Sequence, residues 1–405
     1  MRAEVISIGD ELTSGQRLDT NSQWLSERLA EIGVTVIAHA TVADELETSI
    51  EIFRQAAERA DIVISTGGLG PTADDLTREC LARVAGVELV LDEAQLAHLR
   101  SLFDRRKRPM PERNIVQATF PAGSLPIANP EGTAPGVVID LPRVRGGLCR
   151  WFALPGVPAE MFQMWEQSVR PALIARGAGR QVIVHRRIKC FGAGESDVEA
   201  RLPDLIRRGR EPQVGITVSD ATITLRIAAI GTTVDDCQRQ IEPTVQIIHD
   251  CLGTLVFGEE DDELQHVVLR QLASRGQTLA TCEWGTEGLL ARWLGEAAAG
   301  GHAFRAGVVI TNQAAADAMT GAQADYATGP GVEALAQACR HQFRADYGLA
   351  IGSFAAAKGD PAEMWFSLAS PAGVRTRSAS LLAHSAVVKP RAAKQALNLL
   401  RLSLL

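Results

Sequence analysis

Apolar residues in this chain fall into two alternating rhythms. "AEVISIG" is a short apolar run closed by Gly9, and "NSQWLSERLAEIG" then sets Trp24, Leu25, Leu29 and Ile32 on one helical face before stopping at Gly33. "VTVIAHA" predicts a second strand, "ELETSIEIFRQAAERA" a second helix and "DIVIST" a third strand. This βαβαβ order predicts an α/β domain of three layers over residues 1–172, a mainly parallel sheet with helices on both faces. Ligands of such sheets bind beyond the carboxyl ends of the strands. Both glycine-rich stretches, after Ile8 and after Ser65, fall at those ends.

The pattern changes over residues 173–258. "QVIVHRRIKCFG" reads as a strand, "ESDVEARLPDLI" as a helix, and "VGITVSD" and "ATITLRIAAIG" as two strands. A helix, "VDDCQRQIEPTVQIIHDCLG", and a short strand, "TLVFG", complete a β-α-β-β-α-β order, which predicts a small α+β domain of split-βαβ kind. It carries no catalytic constellation, so a spacer or dimerisation role is expected. The acidic "EEDDELQ" (Glu259 to Gln265) opens a third segment, 259–405, where helices and strands alternate again and a basic helix follows from about Lys389. This predicts a second α/β domain, with "HAFRAGVVIT" and "DYGLAIGSF" as buried strands.

A length of 405 residues fits two or three cores. The composition, 46% hydrophobic and 22% charged, is that of a soluble globular protein, and the net charge of −7 argues against a general nucleic-acid binder. Two short basic runs stand apart, "RRKR" (Arg105 to Arg108), a solvated loop or a phosphate-facing one, and "IRRGR" (Ile206 to Arg210), too short to carry RNA binding. Seven dispersed cysteines without a CxxC pair predict reduced thiols, and the eight histidines show no zinc-ligand spacing. The chain enters strand pattern at once and no apolar run approaches membrane-span length, so neither a signal peptide nor a membrane contact is expected and the cytoplasm is the expected compartment. A homodimer is the base-rate expectation for such a protein.

The candidate chemistry lies in four segments of the first domain: "GDELTSGQRLDTN", "GGLGPTADDLT", "NPEGTAPG" and "LPGVPAEM". Glycines let backbone amides approach an anion, and successive amides form an anion-binding nest. Thr72 or Thr77 is placed to cap a helix starting near Asp74 and to aim its first amides at the ligand. The adjacent Asp74 and Asp75 would repel an anion unless a divalent cation intervenes, held by carboxylate and phosphate oxygens together. Their plainer role is to complement a helix dipole. "GK[ST]" and GxGxxG are both absent, so neither familiar nucleotide loop is present.

These four segments, in this order and spacing, resemble the CinA (competence/damage-inducible protein) family, whose first domain is similar to the molybdopterin-binding fold of molybdenum-cofactor biosynthesis proteins. The middle segment resembles the family's KH-like domain, and the third stands where the family has an amidase domain. The resemblance implies a metal-dependent hydrolase that cleaves ADP-ribose, or a related nucleotide diphosphate, to AMP and ribose 5-phosphate with Mg²⁺ or Co²⁺. By motif it implies Asp10, Glu11, Asp74 and Asp75 as the acids for metal and water, without dividing base from ligand among them. Asp74, Asp75 and, more weakly, Asp44 in "VADE" are the implied metal ligands. Gly67, Gly68, Gly70, Pro71, Thr72, Gly132 and Thr133 would hold phosphate, Asn21 and Asn129 would bond the ligand, and Pro155 and Gly156 would shape the wall. A non-catalytic binder of nucleotide or pterin is the rival within the same fold.

The third segment departs from the family. Its amidase resembles A-E-S-C-T-G-G at the nucleophile and acts on nicotinamide mononucleotide; here "CEWGTEG" places Trp284 at the serine and Gly285 at the cysteine. Trp carries no nucleophilic atom. A second motif appears as "GVVITNQAA", with Asn312 kept, Ile310 at the tyrosine and Ala315 at the lysine; a third is "IGSFAAAKG", with Phe354 among alanines. No amidase activity is expected. Cys282 and Thr286 lie within a turn of the lost serine but lack a nearby base, and Cys282 reads as a small buried residue at a strand end.

Overall fold

The computed structural model describes residues 1–144, 146–202, 204–207, 209–354, 363–380 and 385–405. The chain groups into two compact units: Met1–Val184 with Ile230–Gln238, and His185–Ala229 with Arg239–Leu405.

The first unit begins with β1 (Arg2–Ile8), the single-turn α1 (Asp10–Thr13), α2 (Thr20–Glu31), β2 (Thr35–Val42), α3 (Leu46–Arg59), β3 (Ile62–Thr66) and α4 (Thr77–Ala85). Then come β4 (Leu89–Leu91), α5 (Glu93–Arg105), β5 (Thr119–Pro121), β6 (Leu125–Ile127), β7 (Gly136–Pro142) and β8 (Leu148–Leu154). α6 (Pro158–Met164) runs through a π turn into α7 (Arg170–Ala175). The main sheet has the order β2-β1-β3-β8-β7-β6, parallel from β2 to β8 and antiparallel from β8 to β6.

Both faces of this sheet are covered, which is why its central strands are apolar on both sides. Ala3 and Val5 of β1 and Ile62 and Ile64 of β3 pack with Leu25 and Leu29 of α2. Ile6, Ile8 and Val63 face the other way, with Phe53 of α3 and Leu81 of α4. Each Val, Leu, Ile or Phe among them contributes about 1.5–3 kcal/mol of burial. One acid, Glu4, sits fully buried in β1, where Arg59 of α3 meets both its oxygens at 2.6 and 2.5 Å. Side-chain caps from Asp19, Glu45 and Asp92 start α2, α3 and α5.

The middle segment follows its predicted order: β9 (Val182–Cys190), α8 (Glu195–Arg201), β10 (Gln213–Ser219), β11 (Thr222–Gly231), α9 (Val234–Leu252) and β12 (Val256–Glu259). These strands form one sheet in the order β10-β11-β9-β12. α8 is shorter than the run "ESDVEARLPDLI" predicts; Pro203 of that run and Arg208 of "IRRGR" lie outside the described residues.

The last segment comprises α10 (Leu264–Ser274), β13 (Leu279–Glu283), α11 (Leu289–Ala298), β14 (Phe304–Val309), α12 (Gln313–Thr320), α13 (Gly329–Gln342) and β15 (Tyr347–Ile351). It ends with β16 (Glu363–Ser370), β17 (Gly373–Ser380) and α14 (Ser385–Ser403). The sheet order is β14-β13-β15-β16-β17, with β16 and β17 an antiparallel hairpin. β15 is buried throughout as expected, but β14 is an edge strand with alternate residues exposed. The basic α14 starts four residues earlier than predicted, and two of its cations are buried. Lys394 Nζ meets Thr222 Oγ1 at 2.6 Å and Glu263 Oε2 at 3.2 Å, and the Arg401 guanidinium donates to the Thr254 and Val256 carbonyls at 2.5 and 3.2 Å.

Candidate functional site

Strand register brings the predicted segments together. Ile8 stands opposite Val42, Ser7 opposite Thr66, and Thr66 opposite Leu154. The loops that begin at Gly9, Ala43, Gly67 and Pro155 therefore leave the sheet at one level, beside β1, where the strand order reverses. They wall a cavity of about 510 Å³.

The glycine loop is held in a conformation that only glycine tolerates. Gly67 and Gly68 have φ of +107° and +64°; a side chain at the first would strike the Ile8 carbonyl, and at the second the Thr77 hydroxyl. Thr77 is no cap, and neither is Thr72. α4 opens at Thr77 itself, not near Asp74, and has no side-chain cap; the buried Thr77 hydroxyl donates to the Gly67 carbonyl at 2.8 Å. Asp75 closes the loop from within. Its carboxylate accepts the Gly70 amide at 2.7 Å, the Thr72 amide at 2.8 Å and the Thr72 hydroxyl at 2.5 Å. The protein's own anion thus takes two of the amides expected to face a phosphate. The Gly68 and Leu69 amides, which have no internal acceptor among the described residues, are the donors left. Beneath the loop Arg78, 2% exposed, donates to the Leu69 carbonyl at 2.9 Å and the Pro135 carbonyl at 3.3 Å, tying two loops together. Burial pulls its guanidinium down to about 10, against the opposing charge of Asp75.

Of the predicted acids, Glu11, Asp44, Asp74 and Asp75 line the cavity and Asp10 does not. Asp10 and Asp44 instead brace each other: Asp10 Oδ1 accepts the Asp44 amide at 3.1 Å and Asp44 Oδ2 accepts the Asp10 amide at 3.0 Å. Burial pushes the Asp44 carboxyl up, and the charges of Asp10, Asp74 and Glu11 add to the rise. Asp74 is exposed and held below the ordinary carboxylate range by the Thr72 hydroxyl and its own backbone amide. Among the described residues no group of three or more His, Cys, Asp or Glu converges closely enough to hold a metal by itself. Separate carboxylates around an open cavity are a donor set for a hydrated divalent ion that completes its shell with phosphate and water oxygens.

The remaining predicted residues divide between wall and scaffold. Pro71, Thr133, Pro155 and Gly156 line the cavity. Asn21 donates to the Gly156 carbonyl at 2.9 Å. Asn129 is occupied at both ends: Nδ2 donates to the Ala134 carbonyl and to Glu160, at 2.9 and 2.7 Å, while Oδ1 accepts the Glu131 and Gly132 amides at 3.2 and 2.8 Å. These two asparagines and Gly132 shape the loops that a ligand would meet. Three polar wall residues were not anticipated: Arg17, Gln117 and Glu160. Arg17 and Glu160 sit inside quoted segments, whereas Gln117 lies in a 3₁₀ turn, Glu112–Ala118, outside any of them. "RRKR" is exposed, away from the cavity wall, and runs out of the C-terminal end of α5, where cations complement the helix dipole.

Comparison with known sequences accounts for nearly the whole chain. Residues 4–175 match the profile described as "Probable molybdopterin binding domain", 185–258 the "Damage-inducible protein CinA KH domain", and 261–404 the "CinA C-terminal domain". A CinA-like protein of Frankia casuarinae is 35% identical over 426 residues, covering 99% of this chain and 96% of its own. The chain belongs to the CinA family. Another CinA-like protein, from Thermomicrobium roseum, is 34% identical over 409 residues, with 100% of this chain and 97% of that protein covered. Among solved structures, the protein CinA with unknown function from Thermoplasma acidophilum is 33% identical, covering 42% of this chain and 98% of its own at a TM-score of 0.38. Among the described residues no helix is long and apolar enough to cross a membrane.

Within the CinA C-terminal domain, the position that matches the motif's serine is occupied by a half-buried tryptophan. Trp284 follows β13 with its ring 6.3 Å from Tyr326, and the Phe354 ring lies so close to Gly285 that any side chain there would collide with it. The neighbouring polar groups have structural partners. Glu283, fully buried, accepts the Thr286 hydroxyl at 2.5 Å and the Leu290 and Ala291 amides at 3.0 and 2.7 Å, which anchors the start of α11. Asn312 caps α12 through the Ala315 amide at 2.9 Å, and Ile310 is buried. Cys282 is fully buried in β13 and burial pushes its thiol far up, the opposite of nucleophile activation. All seven cysteines are unpaired thiols. Ala355 to Gly359 of the third motif lie outside the described residues.

Proposed function

We propose that the first domain is a divalent-metal-dependent hydrolase of a nucleotide diphosphate, ADP-ribose being the substrate that the family resemblance implies. The observation that carries this is the convergence of Glu11, Asp44, Asp74 and Arg17 with the open Gly68 and Leu69 amides on one cavity at the sheet's carboxyl edge. Amides and guanidinium suit phosphate oxygens, while acids beside them suit a cation bound together with those oxygens. A hydrated Mg²⁺ or Co²⁺ would be held by one or two of the acids Glu11, Asp44 and Asp74 together with phosphate and water oxygens, and would neutralise phosphate charge and acidify water. Asp44, whose carboxyl burial raises above the ordinary carboxylate range, is suited to take the proton as water adds to one phosphorus and the P–O bond of the anhydride breaks. AMP and ribose 5-phosphate leave. Asp10, Asp75, Asn21 and Asn129 serve by positioning the loops.

The test is incubation of the full chain with ADP-ribose and Mg²⁺ or Co²⁺, with AMP formation followed. Loss of AMP formation in Asp74→Asn and Glu11→Gln supports the reading; unaltered rates in both refute it. A non-catalytic nucleotide or pterin binder is the second reading, favoured by the lack of a converged metal-ligand set among the described residues. It predicts ligand binding without AMP. For the C-terminal domain we infer a structural role without amidase activity, because Trp284 and Phe354 fill the place of a nucleophile and its substrate.

A further inference from the structure

Three successive carbonyls of the glycine loop are taken from beneath by the first two residues of α4. The Gly67 carbonyl accepts the Thr77 hydroxyl at 2.8 Å, the Gly68 carbonyl the Thr77 amide at 3.1 Å, and the Leu69 carbonyl the Arg78 guanidinium at 2.9 Å. In a trans peptide the carbonyl and the following amide point opposite ways. Each anchor therefore turns the next amide, of Gly68, Leu69 and Gly70, away from α4. The first two are the open donors at the cavity, and the third meets Asp75 at 2.7 Å. Arg78 differs from the other two anchors in two respects. Its second amino group reaches the Pro135 carbonyl at 3.3 Å, and it alone carries charge. That guanidinium is buried, makes no hydrogen bond or ion pair with a carboxylate among the described residues, and its Nε has no acceptor there.

A buried cation without an ion pair is costly, and a neutral donor would tie the two carbonyls together at less cost. The charge is therefore the feature to be explained. Among the described residues the cavity wall holds five carboxylates, Glu11, Asp44, Asp74, Asp75 and Glu160, against one cation, Arg17, which is exposed and screened by water. An entering anion meets an excess of negative charge. Arg78 lies behind the loop's amides, away from solvent, where screening is weak. We propose that Arg78 is a positioning residue of the phosphate site: it aims the amides of the glycine loop and supplies a fixed positive charge on which anion binding depends, without touching the anion. The proposal rests on the reading of this cavity as a phosphate site and does not require hydrolysis. At the effective dielectric of such sites, a unit charge on the order of 10 Å from a phosphate changes its affinity about tenfold.

Titration calorimetry of the full chain with inorganic pyrophosphate in Mg²⁺ tests this. Arg78→Lys keeps the charge, whereas Arg78→Gln keeps only a neutral donor for the carbonyls. Arg78→Met is a second neutral variant, and circular dichroism checks that each one folds. Pyrophosphate affinity is expected to fall about tenfold or more in the two neutral variants and to stay within about threefold of the wild type in Arg78→Lys. Equal losses in Arg78→Lys and the neutral variants make Arg78 a tether alone and overturn the proposal. Wild-type affinity in a folded neutral variant overturns it too. The charge-dependent ranking without AMP formation from ADP-ribose supports the proposal and removes the hydrolase reading. AMP formation with affinities that ignore the charge does the reverse, and a wild-type chain that binds no pyrophosphate overturns both.

Discussion

Asp74 and Asp75 are adjacent acids in different surroundings, one exposed and one bonded into its own loop, and replacing each by Asn tests the separate roles proposed for them. Asp75 accepts three hydrogen bonds inside its own loop, from Gly70 and twice from Thr72. An Asn there keeps one acceptor oxygen and turns an NH₂ group toward the remaining donors. A hydrogen bond to a charged acceptor contributes about 1.5–3 kcal/mol when buried. This loop is partly exposed and water can satisfy some of the freed amides, so the total loss is about 2–3 kcal/mol rather than three times one bond. In a unit of this size that lowers the melting temperature by about 5–10 °C. Hydrogen exchange over residues 67–77 gives the local readout: amide protection falls in Asp75→Asn, without metal or ligand. Asp74→Asn is expected to change melting and exchange of the ligand-free chain much less than Asp75→Asn, since the side chain is exposed and water can replace its loop contacts, and to weaken stabilisation by Mg²⁺ with nucleotide. If Asp75→Asn melts and exchanges like the wild type while Asp74→Asn loosens the loop, the division of roles is refuted.

Three further outcomes are expected. The raised Asp44 carboxyl means that the ligand-free fold disfavours its ionised form, so its contribution to stability is present at acid pH and lost as pH rises through its folded value; metal binding needs the ionised form and weakens, on acidification, at higher pH than for an ordinary carboxylate. Mg²⁺ titrations from acid to neutral pH check this, and Asp44→Asn should remove that acid limb. Lys394→Ala breaks a buried contact with Glu263 and Thr222 and should destabilise the second unit by about 2 kcal/mol in urea unfolding, less than a fully buried pair because Glu263 is part-exposed and keeps Lys189 at 3.5 Å. Trp284→Ser should release no ammonia from nicotinamide mononucleotide, because Phe354, Ile310 and Ala315 still occupy the neighbouring positions; measurable release would overturn the structural reading of that domain.

Periodicity alone determined the alternation of strands and helices, the two-sided sheet and the split-βαβ order of the middle segment, because burial imposes a period of two or 3.6 on any sequence that forms these layers. Glycines at strand ends marked the site, since only glycine accepts the positive φ and close backbone approach found at Gly67 and Gly68. The β16–β17 hairpin and the exposed edge of β14 left no clear trace, as sheet order depends on pairing between distant strands. The same holds for the residues around the cavity. The motifs point to Asp10, Asp75, Asn21 and Asn129 as candidates, and only the folded chain shows their carboxylates and carboxamides turned toward neighbouring backbone amides and carbonyls. Gln117 and Arg78 were invisible for that reason too: each matters through partners far away in sequence or through a cavity that sequence does not contain. Residue type sets what a side chain can do; register and packing decide which way it faces, and so which of two adjacent aspartates braces the loop and which looks into the cleft.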